Sequence, residues 1–215
     1  MNRIYMAHWV ANIVGQSPAT CLKWFDELEN DQDLRMAIRE AVSSSPRRRI
    51  MDSEVEFGRR LAWYALVRSL KPRHVVETGT DRGLGTLVLA SALIRNGLGA
   101  VTTIDTNPDS GDLIVDPWDR VISRRVGDSI EILSELKNID LFIHDSDHSY
   151  GHEMNEFVAI SQNLTDQSMV LSDNSQSETA LLDWSSGEGR RFSYFVEEPN
   201  QFWAKGGAIG IAIPR

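Results

Sequence analysis

From residue 53 onward, short apolar runs of strand character alternate with stretches of helical periodicity, and that alternation leaves few folds open. His74, Val75 and Val76 read as a strand, 84–95 as a helix stopped at Gly97, 101–104 as a second strand and 121–126 as a third. Asp128, with Glu131 three residues on, opens a helix to Leu136. Leu141, Phe142 and Ile143 then form a strand, 151–164 a helix, and Met169, Val170 and Leu171 a fifth strand. Strands separated by helices pair in parallel and need both faces covered. The last two runs, 192–196 and 208–213, have only 197–207 between them, too little for a crossover helix, so they should pair antiparallel. Right-handed crossovers then predict an α/β fold: a doubly wound sheet of seven strands, mostly parallel, with one antiparallel strand near its edge.

Helices precede this body. Ser17 before Pro18 opens one that runs to about Glu29. Leu34, Ala37, Ile38, Ala41 and Val42 recur at helical spacing and predict another before Ser43-Ser44-Ser45-Pro46. Ser53 and Glu56 match a capping box, starting a helix that Pro72 stops after Leu70. We therefore divide the chain into an N-terminal helical extension, 1–52, serving as packing, oligomer contact or lid, and a main domain, 53–215. A chain of 215 residues buries roughly 70% of its unfolded surface and needs no staple. The lone Cys21 forms no internal disulfide, which suits a reducing compartment. The longest apolar run, 61–67, falls far short of the ~18 residues a spanning helix needs, and His8 and Asn12 spoil the N-terminus as a secretory signal. The expectation is a cytoplasmic protein with no membrane partner. Against 31 Asp and Glu stand 22 Lys and Arg, a net charge of −9 that argues against a nucleic-acid partner. The basic cluster at 47–49 reads as a solvated loop.

The first strand of the body runs into Glu77-Thr78-Gly79-Thr80-Asp81-Arg82-Gly83-Leu84-Gly85-Thr86 and then a helix. Ligands of open α/β sheets sit beyond the carboxyl ends of the strands. Gly79 and Gly83 would let the backbone approach a ligand with no Cβ in the way. A dinucleotide fingerprint needs glycine where Asp81 stands. Asp81 and Glu77 would repel a pyrophosphate, and both suit a ligand carrying a cation or an ammonium group.

Two further segments carry chemistry. Residues 143–150, IHDSDHSY, follow the fourth strand, and Ser172-Asp173-Asn174-Ser175 follow the fifth. Neighbouring strand ends lie ~4.8 Å apart, and two carboxylates that close share a proton or a cation. Asp145, Asp173 and Asn174 make an all-oxygen set suited to a hard cation such as Mg²⁺. The alternative is a polar strand-end pair hydrogen-bonded to turn amides. His148 reads as a general base, a metal ligand or a surface loop residue. His144, one position from Asp145 on an alternating strand, points the other way and is structural; Tyr150 and His152 open the next helix or line a pocket rim.

The E-x-G-x-x-x-G segment at Glu77 resembles motif I of class I S-adenosylmethionine-dependent methyltransferases, a Rossmann-like family, and the similarity extends in order through most of 53–215. The resemblance implies that Glu77, Gly79, Gly83 and Thr86 belong to the cofactor-binding turn. It further implies that Asp105 takes the ribose hydroxyls and that Gly127, Asp128 and Ser129 lie along the adenine. Taken singly, Glu77 is also a strand-end charge, Asp128 a helix N-cap and Asp105 ordinary turn chemistry. The acidic cluster is similar to that of metal-dependent small-molecule O-methyltransferases of the catechol and caffeoyl-coenzyme A type, which bind a divalent metal at positions matching Asp145, Asp173 and Asn174. D-x-D-H-S-Y resembles bacterial methyltransferases of antibiotic and sugar tailoring. Two departures stand out. His148 occupies the place of the catechol-type lysine, and Pro108 and Pro117 leave the usual helix between strands two and three reduced or missing.

What the resemblance implies is transfer of a methyl group from S-adenosylmethionine to a hydroxyl oxygen of a small molecule, a phenol, sugar or other secondary metabolite. Mg²⁺ would sit on Asp145, Asp173 and Asn174, with His148 as base beside Asp145. Trp184, Phe192, Phe202 and Trp203 form a substrate wall or fill core, and the glycines of 187–191 suit a lid. Two rivals share the sheet: an NAD-linked oxidoreductase, disfavoured by the missing glycine and the acidic cluster, and a non-catalytic cofactor-binding module. The expected partner is a small-molecule acceptor, with a homo-oligomer left open.

Overall fold

The structure, a computed structural model, describes residues 2–47, 55–198 and 207–215. Three helices come first: α1 (Arg3–Val14), α2 (Pro18–Glu29) and α3 (Gln32–Ser44). The Ser17 cap behaves as its sequence requires, its side chain accepting from the Thr20 amide with Pro18 in the first turn. α1 escapes the periodicity argument because its apolar residues run round most of its circumference. Asn2 caps its start, Gly15 ends it in the left-handed region, and Met6, Ala7 and Val10 are fully buried.

The body follows: α4 (Arg60–Leu70), β1 (His74–Thr78), α5 (Leu84–Asn96), β2 (Ala100–Asp105), β3 (Ile122–Val126), α6 (Ser129–Glu135), β4 (Ile139–His144), α7 (Tyr150–Ile160), β5 (Leu164–Asp173), α8 (Ala180–Gly187), β6 (Arg191–Val196) and β7 (Ala208–Ile213). Between β2 and β3 only a one-turn 3₁₀ helix, Trp118–Val121, replaces a crossover helix. The sheet order is β3-β2-β1-β4-β5-β7-β6, with β7 antiparallel to both neighbours and the other pairs parallel. That is the expected seven-stranded, doubly wound sheet. Its order reverses between β1 and β4, where a crevice opens above the strand ends.

Three boundaries differ from the sequence reading. α4 begins at Arg60, since 55–57 are not helical; Ser53 and the 52/53 boundary lie outside the described residues. α7 stops at Ile160, and Leu164 instead pairs with Ile139 as the first residue of β5. α8, in a segment read as loop, buries Trp184 against Phe157, its indole N–H donating to Ser161 Oγ at 3.1 Å. Trp184 and Phe192 thus belong to core packing, while Phe202 and Trp203 lie outside the described residues.

Alternation along the strands builds two cores. Val75, Val101, Leu141 and Ile211 face a layer that includes Phe25, Leu28, Leu61 and Leu66 from α2 and α4. Val76, Ile104, Phe142 and Val170 face Leu133, Phe157 and Trp184 on the other side. The N-terminal helices therefore share the main hydrophobic core. Among the described residues, no helix is long and apolar enough to cross a membrane.

Candidate functional site

Above the switch point between β1 and β4 lie two adjoining cavities, of about 490 and 310 Å³, with Gly79, Asp81 and Asp145 common to both walls. Asp105, Gly127, Asp128 and Ser129 line the larger; Glu77, Arg60 and the apolar side chains of Ile38 and Val42 from α3 line the smaller. Gly83 and Thr86, expected beside them, line neither.

The loop glycines answer to packing within the chain. Gly79 has φ +88°, and a Cβ there would overlap the carbonyl oxygen of Asp145. Gly83 has φ +94°, and a Cβ there would lie 2.9 Å from Ile114 Cγ1. Both let the loop pack on neighbouring chain in a left-handed conformation, and Gly79 does so while lining both cavities. Thr86 supports rather than lines: its hydroxyl donates to Glu77 Oε2 at 2.5 Å, and Thr103 donates to the same oxygen at 2.7 Å. Burial pushes the Glu77 carboxyl up to about 7 despite those two donors.

Asp105 accepts from the backbone amides of Asp81 at 2.9 Å and Asn107 at 2.8 Å, which ties the end of β2 to the glycine turn. Asp128 caps α6, accepting from Ile130 and Glu131 amides. Each carboxylate thus performs its turn or cap task while still lining the larger cavity.

The acidic pair after β4 and β5 comes together with cations of the chain's own. Arg59 forks onto Asp173, Nε to Oδ1 at 3.1 Å and Nη2 to Oδ2 at 2.7 Å, and Nη2 also reaches Asn174 Oδ1 at 3.1 Å. Its Nη1 pairs with Glu197 at 3.2 Å. Arg60 Nη2 lies 3.7 Å from Asp145 Oδ2, while Arg60 Nε is buried without a hydrogen-bond partner. Burial and repulsion from Asp173 hold the Asp145 carboxyl well above the usual carboxylate range, partly offset by Arg60.

Asn174 settles a tautomer. With its Oδ1 facing Arg59, its Nδ2 faces His148 Nε2 at 3.0 Å and donates, so that ring nitrogen is the acceptor and Nδ1 carries the hydrogen. His148 Nε2 lies 3.8 Å from Asp145 Oδ1. Burial, reinforced by the neighbouring His144, pushes the His148 pKa down.

A divalent metal at Asp145, Asp173 and Asn174 does not fit this arrangement. Asp173 and the Asn174 oxygen are occupied by a guanidinium, and the fourth neighbour, His148 Nε2, is engaged by Asn174. Among the described residues, no group of three or more His, Cys, Asp or Glu side chains could hold an ion.

One carboxylate that supports the cavity wall was missed by sequence reasoning. Glu156, fully buried on α7, accepts from Thr78 Oγ1 (2.7 Å), Ser129 Oγ (2.5 Å), Ser146 Oγ (3.0 Å), His144 Nδ1 (2.7 Å) and His152 Nε2 (3.0 Å). Burial alone would raise its pKa; the His144 and hydroxyl hydrogen bonds outweigh it and bring it down to about 2. It fixes Ser129, Ser146 and His152, three residues of the larger cavity's wall. Only its i,i+4 spacing to His152 was visible in the sequence.

Residues 76–175 match the family model described as a methyltransferase domain. That stretch, just under half of the chain, is similar to a methyltransferase domain. The resemblance read from motif I and the strand-end acids, to class I S-adenosylmethionine-dependent methyltransferases, is thereby borne out, and an enzyme of that class is the reading it carries. Solved structures share the fold. The O-methyltransferase TomG from Streptomyces achromogenes, involved in tomaymycin synthesis and solved with S-adenosylmethionine, aligns with TM-score 0.61 at 16% identity, over 83% of this chain and 90% of TomG. An O-methyltransferase from Bacillus cereus, solved with S-adenosylhomocysteine, aligns with TM-score 0.60 at 14% identity, over 97% and 99%. A methyltransferase from Podospora anserina, also bound to S-adenosylhomocysteine, aligns with TM-score 0.56 at 16% identity, over 85% and 88%. No curated protein matches the chain.

Proposed function

We propose that this methyltransferase domain uses S-adenosylmethionine to methylate a hydroxyl oxygen of a small molecule. The observation that carries the reading is the charge make-up of the twin cavity. Carboxylates of Glu77, Asp105 and Asp145 surround it, and a guanidinium with an unsatisfied buried Nε, Arg60, stands in the same wall. A zwitterionic amino-acid tail joined to a cationic centre and a ribose matches that set. When bound, S-adenosylmethionine supplies an electrophilic methyl on a sulfonium, and its departure leaves a neutral thioether.

The chain's residues have five tasks. Asp105 holds ribose hydroxyls, and Gly127, Asp128 and Ser129 flank the adenine. Glu77 and Arg60 face the ammonium and carboxylate of the tail, and α3, through Ile38 and Val42, excludes water from that end. Holding donor and acceptor in line is worth ~7–11 kcal/mol of barrier. Asp145, lining both cavities with a raised pKa, takes the acceptor's proton, and His148, neutral at pH 7 with its Nε2 accepting from Asn174, stands behind it outside both cavity walls. The test is two-part. S-adenosylhomocysteine should raise the melting temperature where NAD does not, and labelled methyl should reach oxygen acceptors in a panel of phenols and sugars. Stabilisation by NAD instead would restore the oxidoreductase reading.

A further inference from the structure

The sequence pattern puts a divalent metal at Asp145, Asp173 and Asn174; the structure puts an arginine there. We propose that the Arg59 guanidinium is the resident cation of the Asp173–Asn174 pair, standing in place of the metal and positioning His148 through Asn174. The geometry is that of a built site. A planar fork meets both oxygens of one carboxylate, at 3.1 and 2.7 Å, and a third contact at 3.1 Å fixes the Asn174 amide. Two-point pairing of this kind is the strong and directional form of the interaction. Glu197 balances the remaining face of the guanidinium, and the backbone closes over it: a Cβ on Gly207 would overlap Nη1.

Charge arithmetic explains why a metal is shut out. Asp173 is almost fully buried and Arg59 largely so, at 5% and 21% side-chain exposure. A divalent ion binding the Asp173 oxygens would have to expel a guanidinium from its partners, leave Glu197 unpaired and sit beside a second arginine, since Arg60 lies 3.7 Å from Asp145. Breaking a buried pair by removing one partner is costly, because it strands the other charge. The oxygen ligands that would select the metal are therefore already spent.

The effect on His148 runs through one amide. Because Arg59 takes the oxygen of Asn174, its N–H₂ must face the ring, and His148 holds its hydrogen on Nδ1. Arg59 touches neither cavity wall, so it is a positioning residue.

Titration of the full chain with Mn²⁺, followed by electron paramagnetic resonance and calorimetry, tests the proposal without needing a cofactor or an acceptor. Wild type should show no stoichiometric site in the range below ~1 mM, roughly the lower limit of useful affinity. Arg59→Ala or Arg59→Gln, checked for folding by its melting transition, should gain a site at least ~10-fold tighter, and a second change, Asp173→Asn, should abolish it. In ¹⁵N spectra of the histidine rings, Arg59→Gln should also move the His148 signature away from the Nδ1–H tautomer. A stoichiometric wild-type Mn²⁺ site lost in Asp173→Asn would overturn the proposal. So would a folded Arg59 variant that still binds no Mn²⁺. Binding of S-adenosylhomocysteine is a separate measurement, so failure here leaves the methyl-transfer reading to stand or fall alone.

Discussion

Glu156, fully buried behind the larger cavity's wall, and Asp145, part-buried in the walls of both cavities, are carboxylates held by opposite means. Glu156 is surrounded by hydroxyls and imidazole nitrogens that donate to it, and these bonds together with the charge of nearby His144 bring its pKa down to about 2. Asp145 has burial and another acid, Asp173, against it, with an arginine 3.7 Å away, and its pKa is driven up. Hydrogen-bond donors and an imidazole supplied by the chain fix a charge in place and make it structural. Burial beside like charge leaves a proton poised to move, which is what a transfer site needs. Glu77 sits between the two extremes, with two hydroxyl donors insufficient to offset complete burial.

The largest way to break the contrast is Glu156→Ala, which leaves five donors without their acceptor. We expect a loss of about 3–5 kcal/mol in urea unfolding, with the cavity wall at Ser129 and Ser146 loosened. The pH dependence has a definite sign. Because the folded pKa of Glu156 is depressed, its contribution is present above about pH 4.5 and lost as pH falls toward about 2, amounting to roughly 3 kcal/mol. Glu77 works in the other direction. Its folded pKa is raised to about 7, so stability is greatest below about pH 4.5 and declines, by up to about 3 kcal/mol, as pH rises through 7. In Glu77→Gln that decline should vanish, so the variant should gain on wild type between pH 5 and pH 8 in parallel thermal melts. A wild-type advantage that grows with pH would contradict the assignment.

Smaller effects sharpen the comparison at the backbone. Gly79→Ala, in the left-handed region and against the Asp145 carbonyl, should cost about 1–3 kcal/mol. Gly151, in the first turn of the helix that carries Glu156, has nothing within 4 Å of a built Cβ. Gly151→Ala should therefore be neutral or gain up to about 1 kcal/mol, and chemical denaturation of the pair separates a packed turn from an open one.

The fold was legible because sheet and helix periods differ and because the glycine turn, the caps and the missing crossover each sit in a contiguous stretch. Ser17-Pro18, Asp128 and Gly97 announce their helix ends locally, and all three serve there. α1 and α8 were not legible, one being apolar on most sides and the other only eight residues long. In the site, the acids at strand ends were readable since topology alone gathers them. Their partners were not. Arg59 meets Asp173 from 114 residues away, and nothing in a run of two arginines at a helix start marks either as the counter-charge of a distant strand end. Thr86 and Gly83 were read as part of the cofactor turn; they line neither cavity, and the donation of Thr86 to Glu77 is a contact that only side-chain direction reveals.

Calorimetric titration of S-adenosylhomocysteine and NAD into wild type, Asp105→Ala and Arg60→Ala addresses the crevice most directly. The account predicts one site per chain for S-adenosylhomocysteine, weakened at least ~10-fold by either substitution, and no heat from NAD. Silence from S-adenosylhomocysteine, or an affinity that neither substitution changes in folded protein, would contradict it.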